Sequence, residues 1–354
     1  MDSQKKIIFI TPGLGKGGAE TQLVRVAKFL KTKNFNVLII SLNHINDFKT
    51  EDLQVITFKS GKKHLVQNIR SLYKVIADFK PEVVVAFMFS AIICARILKL
   101  TFKYYLISCV RNSEISNRWK LLFKATKNLD DVVTYNALHS KTNLEQMGIV
   151  KPGGIVIPNV VRVPLTVTHT KNNIFTWLCV AHFRNSKDYE TLFKAIYLIK
   201  DNKFIVNIIG NVHGQTWPFE TVKNLGIEDH VNILGFLSEP EPYFHSADAF
   251  VLSSKWEGSP NAMLEAMASE RLVVGSDIGG IRELISESDC GILFKQGDEH
   301  QLAAAMVKVM NIAEDELKLA GDNGRKYIIN NFSEQVILHK WEDIILKRFN
   351  PVKN

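Results

Sequence analysis

The sequence has few cysteines and lacks the residue spacings typical of disulfide frameworks and metal sites. Its 354 residues include four cysteines and no C-x-x-C pair. Each cysteine lies in or beside an apolar run, which is typical of buried thiols in a reducing compartment. No D-x-D occurs, so the paired carboxylates that would hold a divalent metal against a diphosphate are missing. These absences exclude a disulfide-rich secreted module and predict no metal site.

Long apolar runs are also missing. The longest, Val83 to Ala95, stops at Arg96 and is shorter than the roughly 20 residues that a spanning helix needs. Only four apolar residues lie between Lys6 and Thr11, too few for a signal-peptide core. With 46% hydrophobic and 23% charged residues, we expect a folded, soluble, cytoplasmic chain.

Acidic residues are scarce in the first half of the chain. Residues 1–165 hold 25 Lys and Arg against 11 Asp and Glu, whereas residues 166–354 hold 19 against 25. A basic half indicates an anionic partner, such as a membrane surface or a phosphorylated substrate, or simply solvated charge. The cations are dispersed and no nucleic-acid motif occurs, so we expect no nucleic-acid partner.

Short β-branched runs alternate with helical periodicity along the whole chain, which predicts parallel sheets covered by helices. A linker without apolar period, residues 158–173, separates two such halves. We therefore predict an α/β fold with two Rossmann-like doubly wound domains, 1–165 and 166–332, facing a cleft. Ligands of such sheets bind beyond the carboxyl ends of the strands. The predicted strands cover 6–11, 36–41, 54–58, 82–87, 104–109, 131–135, 154–157, 174–183, 203–209, 231–234, 248–252, 271–275 and 290–294.

The stretch ITPGLGKGGAETQ raises the possibility of a dinucleotide site, because Gly13, Gly15 and Gly18 stand at G-x-G-x-x-G spacing between a strand and a helix. Such a site needs an acidic residue closing the second strand, and Asn43 stands there instead. Glu20, in the first helical turn, would also repel a pyrophosphate. A glycine turn that approaches another molecule closely and a tight turn without a ligand both remain open.

Candidate functional residues are most densely grouped in residues 249–285. A buried strand ends there at Ser253 and Ser254. Ser259 is predicted to cap a helix whose first residue is Pro260. The unpaired N–H groups of that helix terminus would suit a diphosphate.

Two glutamates, Glu257 and Glu265, stand eight residues apart in this region, and G-G-x-x-E follows at Gly279 to Glu283. With GKGGAE at 15–20 and the closing NNFSEQVILHKWEDIIL, these motifs resemble family 4 of the glycosyltransferases along essentially the whole chain. The resemblance implies the GT-B fold, with a C-terminal helix over 333–350 packing back on the first domain. It also implies transfer with retention of configuration and no metal.

The resemblance further implies roles for individual residues. Glu257 would contact the transferred sugar, and Glu265 the ribose of a nucleotide sugar, since ionised carboxylates accept strongly from hydroxyls. Lys187 matches the lysine of the family's basic loop, His182 stands where the family has arginine, and Arg184 follows two residues later. We take Glu257, Lys187 and Arg184 as catalytic. The remaining donor-binding candidates are Glu265, Gly258, Ser259, Asn261, Gly279, Gly280 and His182, and the acceptor-side candidates are Gly15, Gly17, Gly18, Arg111 and Asn112.

The sequence departs from the family pattern in one respect, and this departure weakens the case for the expected activity. Many members have a histidine after the fourth or fifth strand, but neither 83–91 nor 108–114 contains one. Arg111 and Asn112 would contact sugar or acceptor there, or serve as ordinary loop residues.

The expected function is retaining transfer of a hexose or N-acetylhexosamine from a nucleotide sugar, UDP-linked by preference, in surface polysaccharide synthesis. The acceptor would be a glycan or a polyprenyl-diphosphate-linked glycan at the inner face of a membrane, with the enzyme cytoplasmic or peripheral and without a cofactor. One alternative is a non-catalytic nucleotide-sugar-binding subunit on the same fold. A nicotinamide oxidoreductase is another, resting on the glycine spacing alone.

Overall fold

The computed structural model describes residues 4–15, 17–48, 50, 52–111, 115–170 and 172–349. The chain divides into two compact units. The first unit comprises residues 1–160 and 335–354, and the second comprises residues 161–334. The expected boundary after residue 165 lies after Val160 instead, and the chain returns to the first unit at Gln335.

Both sheets are parallel, and their strands match the predicted ones with small shifts at the ends. The first sheet has the order β3-β2-β1-β4-β5-β6-β7 and the second β10-β9-β8-β11-β12-β13. The strands are β1 (Lys6–Thr11), β2 (Asn36–Ser41), β3 (Gln54–Thr57), β4 (Val83–Phe87), β5 (Tyr105–Val110), β6 (Val132–Tyr135), β7 (Ile155–Val156), β8 (Phe175–Val180), β9 (Phe204–Ile209), β10 (Val231–Gly235), β11 (Ala249–Leu252), β12 (Leu272–Ser276) and β13 (Gly291–Phe294).

Helices connect these strands, so each unit has the doubly wound architecture that the sequence predicted. The helices are α1 (Gly18–Thr32), α2 (Leu65–Phe79), α3 (Phe89–Lys99), α4 (Asn117–Thr126), α5 (Leu138–Gln146), α6 (Tyr189–Leu198), α7 (Trp217–Leu225), α8 (Glu241–Ser246), α9 (Asn261–Ala268), α10 (Gly279–Ser288), α11 (Glu299–Met310), α12 (Glu314–Phe332) and α13 (Glu334–Leu346).

The first sheet is covered on both faces because alternate strand residues point to opposite sides. Ile7 and Phe9 of β1 pack in one cluster with α1 and α13, and Trp341 of α13 is 1% exposed. Ile8 and Ile10 pack in a second cluster with residues of α2, α3, α4 and α5. The C-terminal helix α13 therefore completes the core of the first unit.

The strand order reverses once in each sheet, between β1 and β4 and between β8 and β11. At such a switch point the two connecting helices lie on opposite faces of the sheet, and a crevice opens beyond the carboxyl ends of the strands. In the second unit this point is bordered by residues 181–188, which follow β8, and 253–260, which follow β11. The predicted donor-binding residues occupy these two loops and the adjoining helix termini.

Candidate active site

An ion pair joins the two loops at the switch point of the second sheet. The Lys187 ammonium contacts Oε1 of Glu257, and the two side chains are 23% and 13% exposed. Lys187 closes a single 3-10 turn, Asn185–Lys187, and Glu257 lies just before α9. The structure thus brings together two of the three residues that the sequence identified as catalytic.

Glu257 is held through one of its two carboxylate oxygens. Ser254 Oγ donates to Oε1 at 2.9 Å, the same atom that Lys187 contacts. Oε2 has no hydrogen bond within the part of the chain that the structure describes. Oε2 of Glu257 can therefore accept a hydrogen bond from a sugar hydroxyl.

Hydrogen bonds between the two loops fix the position of Lys187. Ser253 Oγ lies 2.9 Å from the carbonyl oxygen of Lys187 and 3.0 Å from that of Asp188. The Lys255 amide donates to Ser186 O at 2.8 Å, and its ammonium lies 3.3 Å from Asp188 Oδ1. Sequence reasoning placed Ser253 and Ser254 at the end of the strand but did not assign these contacts.

The helix after Glu257 starts one residue later than predicted. Pro260, with φ −75° and ψ 102°, is the N-cap, and α9 begins at Asn261. Ser259 is therefore not the cap. The extended ψ of Pro260 leaves its carbonyl to accept from the amides of Met263 and Leu264, both at 3.1 Å, so the first helical hydrogen bonds originate there. Glu265 lies in the second turn of α9 and is partly exposed.

The amino terminus of α10 packs directly on the loop that carries Glu257. A Cβ built on Gly280 would lie 1.9 Å from the carbonyl oxygen of Gly258 and 3.1 Å from that of Glu257. Only glycine permits this approach. The structure therefore brings the predicted donor-binding residues Gly258 and Gly280 into backbone contact, and α10 begins at the neighbouring Gly279.

His182 lies among aromatic side chains beyond the ends of three adjacent strands. His182 Nδ1 accepts from the Asn211 amide at 3.0 Å, so the ring proton of a neutral His182 belongs on Nε2. The His182 ring lies 5.7 Å from the ring of His213 and 6.2 Å from that of Phe236. These three rings come from the loops that follow the adjacent strands β8, β9 and β10.

Arg184 contacts Lys187 through the backbone alone, since the Lys187 amide donates to Arg184 O at 2.9 Å. The Arg184 side chain has no hydrogen bond or ion pair to Lys187 or Glu257. It borders a cavity of about 570 Å³ that Lys255, His213 and Trp217 also line. The structure therefore shows no contact between the side chains of Arg184 and Lys187 that would support a joint role.

The glycine turn after β1 is tied to the loop after β2. The Leu14 amide donates to Ile45 O at 3.2 Å, and the Asp47 amide donates to Leu14 O at 2.9 Å. Gly17 is the N-cap of α1, which begins at Gly18, and a Cβ on Gly17 would lie 2.5 Å from Glu20 Oε2. A carboxylate thus occupies the space beside the helix terminus, which disfavours a pyrophosphate there. Gly15 precedes this terminus.

Arg111 is part of the interior of the first unit and is only 9% exposed. Its guanidinium lies 5.0 Å from the Phe87 ring and 5.5 Å from the Trp341 ring. Nη1 donates to Ile157 O and Asn159 Oδ1, both at 3.2 Å, and burial lowers the pKa of Arg111. Arg111 therefore joins the end of β5 to α13, a packing role that the sequence did not indicate. The other acceptor-side candidate, Asn112, lies outside the described residues.

No helix in the described part of the chain is long and apolar enough to cross a membrane. Nor do the described residues include a cluster of three His, Cys, Asp or Glu side chains placed to hold a metal ion.

Known proteins resemble both units. Residues 167–327 match the family model described as glycosyl transferases group 1, and residues 14–112 match that of glycosyl transferase 4-like proteins. An uncharacterized glycosyltransferase of Haemophilus influenzae is 22% identical over 358 residues, covering 96% of this chain and 100% of the relative.

Two further proteins match over nearly their whole length. The GalNAc-α-(1→4)-GalNAc-α-(1→3)-diNAcBac-PP-undecaprenol α-1,4-N-acetyl-D-galactosaminyltransferase of Campylobacter jejuni is 24% identical, with 93% of each chain covered. The structure of Anabaena Alr3699/HepE in complex with UDP and glucose superposes with a TM-score of 0.84 at 18% identity, over 97% of this chain and 99% of the other. With the two doubly wound units, these matches show that the chain belongs to the family 4 glycosyltransferases with the GT-B fold.

Proposed function

We propose that this glycosyltransferase moves a hexose or N-acetylhexosamine from a UDP-sugar to a glycan or lipid-linked glycan acceptor in surface polysaccharide synthesis, with retention and without a metal. The observation that carries the proposal is the Lys187–Glu257 ion pair at the switch point of the second sheet. The HepE structure, which holds UDP and glucose, and the Campylobacter relative named for a PP-undecaprenol substrate support the choice of donor and acceptor.

Lys187 would stabilise the leaving diphosphate. Negative charge develops on the diphosphate as the sugar departs, and a fixed ammonium lowers the energy of that state. Glu257 holds the ammonium at the switch point. The amide groups at the start of α9 offer further donors, so charge neutralisation does not require a metal.

The two glutamates would bind the hydroxyl groups of the donor. Glu257, whose Oε1 is held by Lys187 and Ser254, has Oε2 left to accept from the transferred sugar. Glu265, in the second turn of α9, would accept from the ribose. Both contacts exploit the strength of hydrogen bonds to ionised acceptors.

The transfer step needs no nucleophile from the protein. The acceptor hydroxyl attacks the anomeric carbon on the face from which the diphosphate leaves. The bond from that carbon to the phosphate oxygen breaks as the bond to the acceptor oxygen forms, and the hydroxyl proton passes to a phosphate oxygen of the leaving group. The configuration is therefore retained, and the products are the glycosylated acceptor and UDP.

Nucleotide release from a panel of UDP-, GDP- and ADP-sugars tests this proposal. We expect UDP release, and a melting temperature raised by UDP, since a ligand present at about 100 times its Kd adds about 2.7 kcal/mol to the free energy of unfolding. Unchanged melting with every nucleotide and nucleotide sugar would refute the proposal.

A second candidate is a subunit that binds the nucleotide sugar without transferring it. It is favoured by the absence of histidine from residues 83–91. Met88, which directly follows β4, adopts φ 70° and ψ 157°, a backbone region that favours glycine. A raised melting temperature with UDP, together with no nucleotide release and no transfer to any acceptor, would select this candidate.

The enzyme is further proposed to be cytoplasmic and peripheral at the inner face of the membrane. The first unit has 28 Lys and Arg against 13 Asp and Glu, whereas the second has 16 against 23. Anionic headgroups attract such a basic surface, and the attraction weakens as salt increases.

A further inference from the structure

The helices α2, α3 and α4 present large apolar side chains to solvent. They cover the same face of the first sheet, since Ile76, Ile92 and Phe123 share one buried cluster. Yet Leu121 on α4 is 76% exposed, and Leu100, just after α3, is 71% exposed. We refer to the solvent-facing surface of α2, α3 and α4 as the outer face.

Helix α2 contributes a continuous apolar stripe to the outer face. Val66, Ile69 and Tyr73 are 62%, 56% and 47% exposed. Their spacing of three and four residues places them on one side of the helix. Leu72 and Ile76 lie next to this stripe, toward the sheet, and are buried in the core. The more exposed residues of the stripe are therefore not needed to attach α2 to the sheet.

A basic stripe runs beside the apolar one. Arg70 and Lys74 of α2 are exposed, and at about 100° per residue they lie next to Val66 and Tyr73 around the helix. Lys63, in the turn just before α2, is exposed as well. None of the three cations has an ion-pair partner among the residues that the structure describes. Their charges are therefore available to an anionic surface.

The outer face continues from α2 to the other two helices. The Tyr73 ring lies 4.6 Å from the ring of Phe102, which follows α3. Beneath the outer face, Phe89 of α3 packs edge-on against the buried Phe123 of α4 at 5.2 Å and joins these two helices. Exposed Lys103 and Lys124 carry the same mixture of apolar and basic side chains across this surface.

We propose that the outer face docks on an anionic phospholipid bilayer, with the apolar stripe of α2 at the boundary between headgroups and acyl chains. Apolar and basic stripes side by side on a helix are the pattern of helices that lie in the membrane interface. Lysine and arginine stems extend along the apolar surface while their charged ends reach the headgroups. The assignment rests on the proposed peripheral location and specifies the surface responsible for it.

Vesicle cosedimentation of the full chain tests the proposal. We expect binding to vesicles of phosphatidylglycerol and phosphatidylcholine in equal parts, and little binding to phosphatidylcholine alone. Val66→Asn with Ile69→Asn should weaken binding about tenfold or more, because two inserted side chains are lost. Arg70→Glu with Lys74→Glu should weaken it about as much at low salt and far less at about 0.5 M salt, where charges are screened.

Matched variants on α12 of the second unit serve as controls. Leu319 and Ile329 are 61% and 42% exposed there, so Leu319→Asn with Ile329→Asn removes comparable apolar surface. Exposed Lys318 and Lys326 provide the matching charge reversal, Lys318→Glu with Lys326→Glu. Both control pairs should leave vesicle binding unchanged.

Three outcomes would overturn the proposal. These are equal binding to both kinds of vesicle, equal losses in the α2 and α12 variants, or dimerisation by light scattering that the Val66 and Ile69 changes abolish without an effect on vesicles. Nucleotide release measured without lipid separates this result from the proposed activity. The α2 variants should release UDP at the wild-type rate, and vesicle binding by an inactive chain would still support docking.

Discussion

The switch points of the two sheets have the same strand order but different side chains. The one between β8 and β11 brings a lysine, a glutamate and two serine hydroxyls into one hydrogen-bonded group. At the one between β1 and β4, the described residues form a glycine turn held by backbone hydrogen bonds and a strained Met88. The topology thus provides the crevice, whereas the side chains of the loops determine whether it can stabilise charge.

The net charges of the two units have opposite signs, since the first unit is basic and the second is acidic. The second unit, with 16 Lys and Arg against 23 Asp and Glu, is acidic, although the ligand proposed for it is a polyanion. Long-range attraction would therefore contribute little to donor binding, and the few cations at the switch point must supply it locally. Substitutions at the switch point of the second sheet test this difference between the two units most directly.

The largest effect is expected from Lys187→Ala. Loss of the ammonium that stabilises the leaving diphosphate should lower turnover about 10²-fold or more. Glu265→Ala should have an effect of similar size through the ribose contact. Steady-state nucleotide release measures both.

Lys194→Ala is the control for Lys187→Ala, because Lys194 forms an exposed pair with Glu190 on the same unit. An exposed pair of this kind contributes little, so turnover should stay within about twofold of wild type. Near-normal turnover in the Lys187 and Glu265 variants would show that the charged switch point is not the reaction site.

Glycine substitutions distinguish the two units by what the new methyl group meets. In Gly280→Ala the methyl would collide with the Gly258 carbonyl and displace the loop of Glu257, so turnover should fall about tenfold or more. Overpacking should also lower the free energy of unfolding by about 1–3 kcal/mol. Gly17→Ala meets only the end of the flexible Glu20 side chain and should change stability by less than about 0.5 kcal/mol. Nucleotide release measures turnover, and chemical denaturation measures the free energy of unfolding. Equal effects of Gly280→Ala and Gly17→Ala in these measurements would contradict the expected difference.

Ser254→Ala should have a smaller effect. It removes one hydrogen bond to Glu257 Oε1 and leaves Lys187 in contact with that oxygen. We expect turnover to fall about fivefold, equivalent to about 1 kcal/mol, and adding this change to Glu257→Ala should cause no further loss. A double-mutant cycle measures the coupling, and fully additive losses would show that the serine does not act through Glu257.

Local sequence pattern predicted the strands well because each is a short β-branched run between turn residues. The Glu257 and Lys187 assignments came from the resemblance to family 4 of the glycosyltransferases, and the structure joins these residues although they are 70 positions apart. The start of α9 was predicted one residue early, since Pro260 has an extended ψ and its residue type alone does not distinguish the N-cap from the first helical position. The position of Arg111 was not predictable, because it depends on α13, which returns from the far end of the chain.

Arg111→Met gives the smallest expected change in turnover and a measurable change in stability. The variant loses hydrogen bonds to Ile157 O and Asn159 Oδ1 and the stacking on Phe87 and Trp341, but it keeps an apolar stem of similar length. The free energy of unfolding should fall by about 1–2 kcal/mol in chemical denaturation, while nucleotide release in the second unit stays at the wild-type rate. If stability is unchanged and transfer to the acceptor is lost, Arg111 is an acceptor-binding residue and the first switch point is chemically active as well. A loss of stability alone would show that Arg111 serves only to hold β5 against α13. The charged side chains that take part in the reaction would then belong to the second unit.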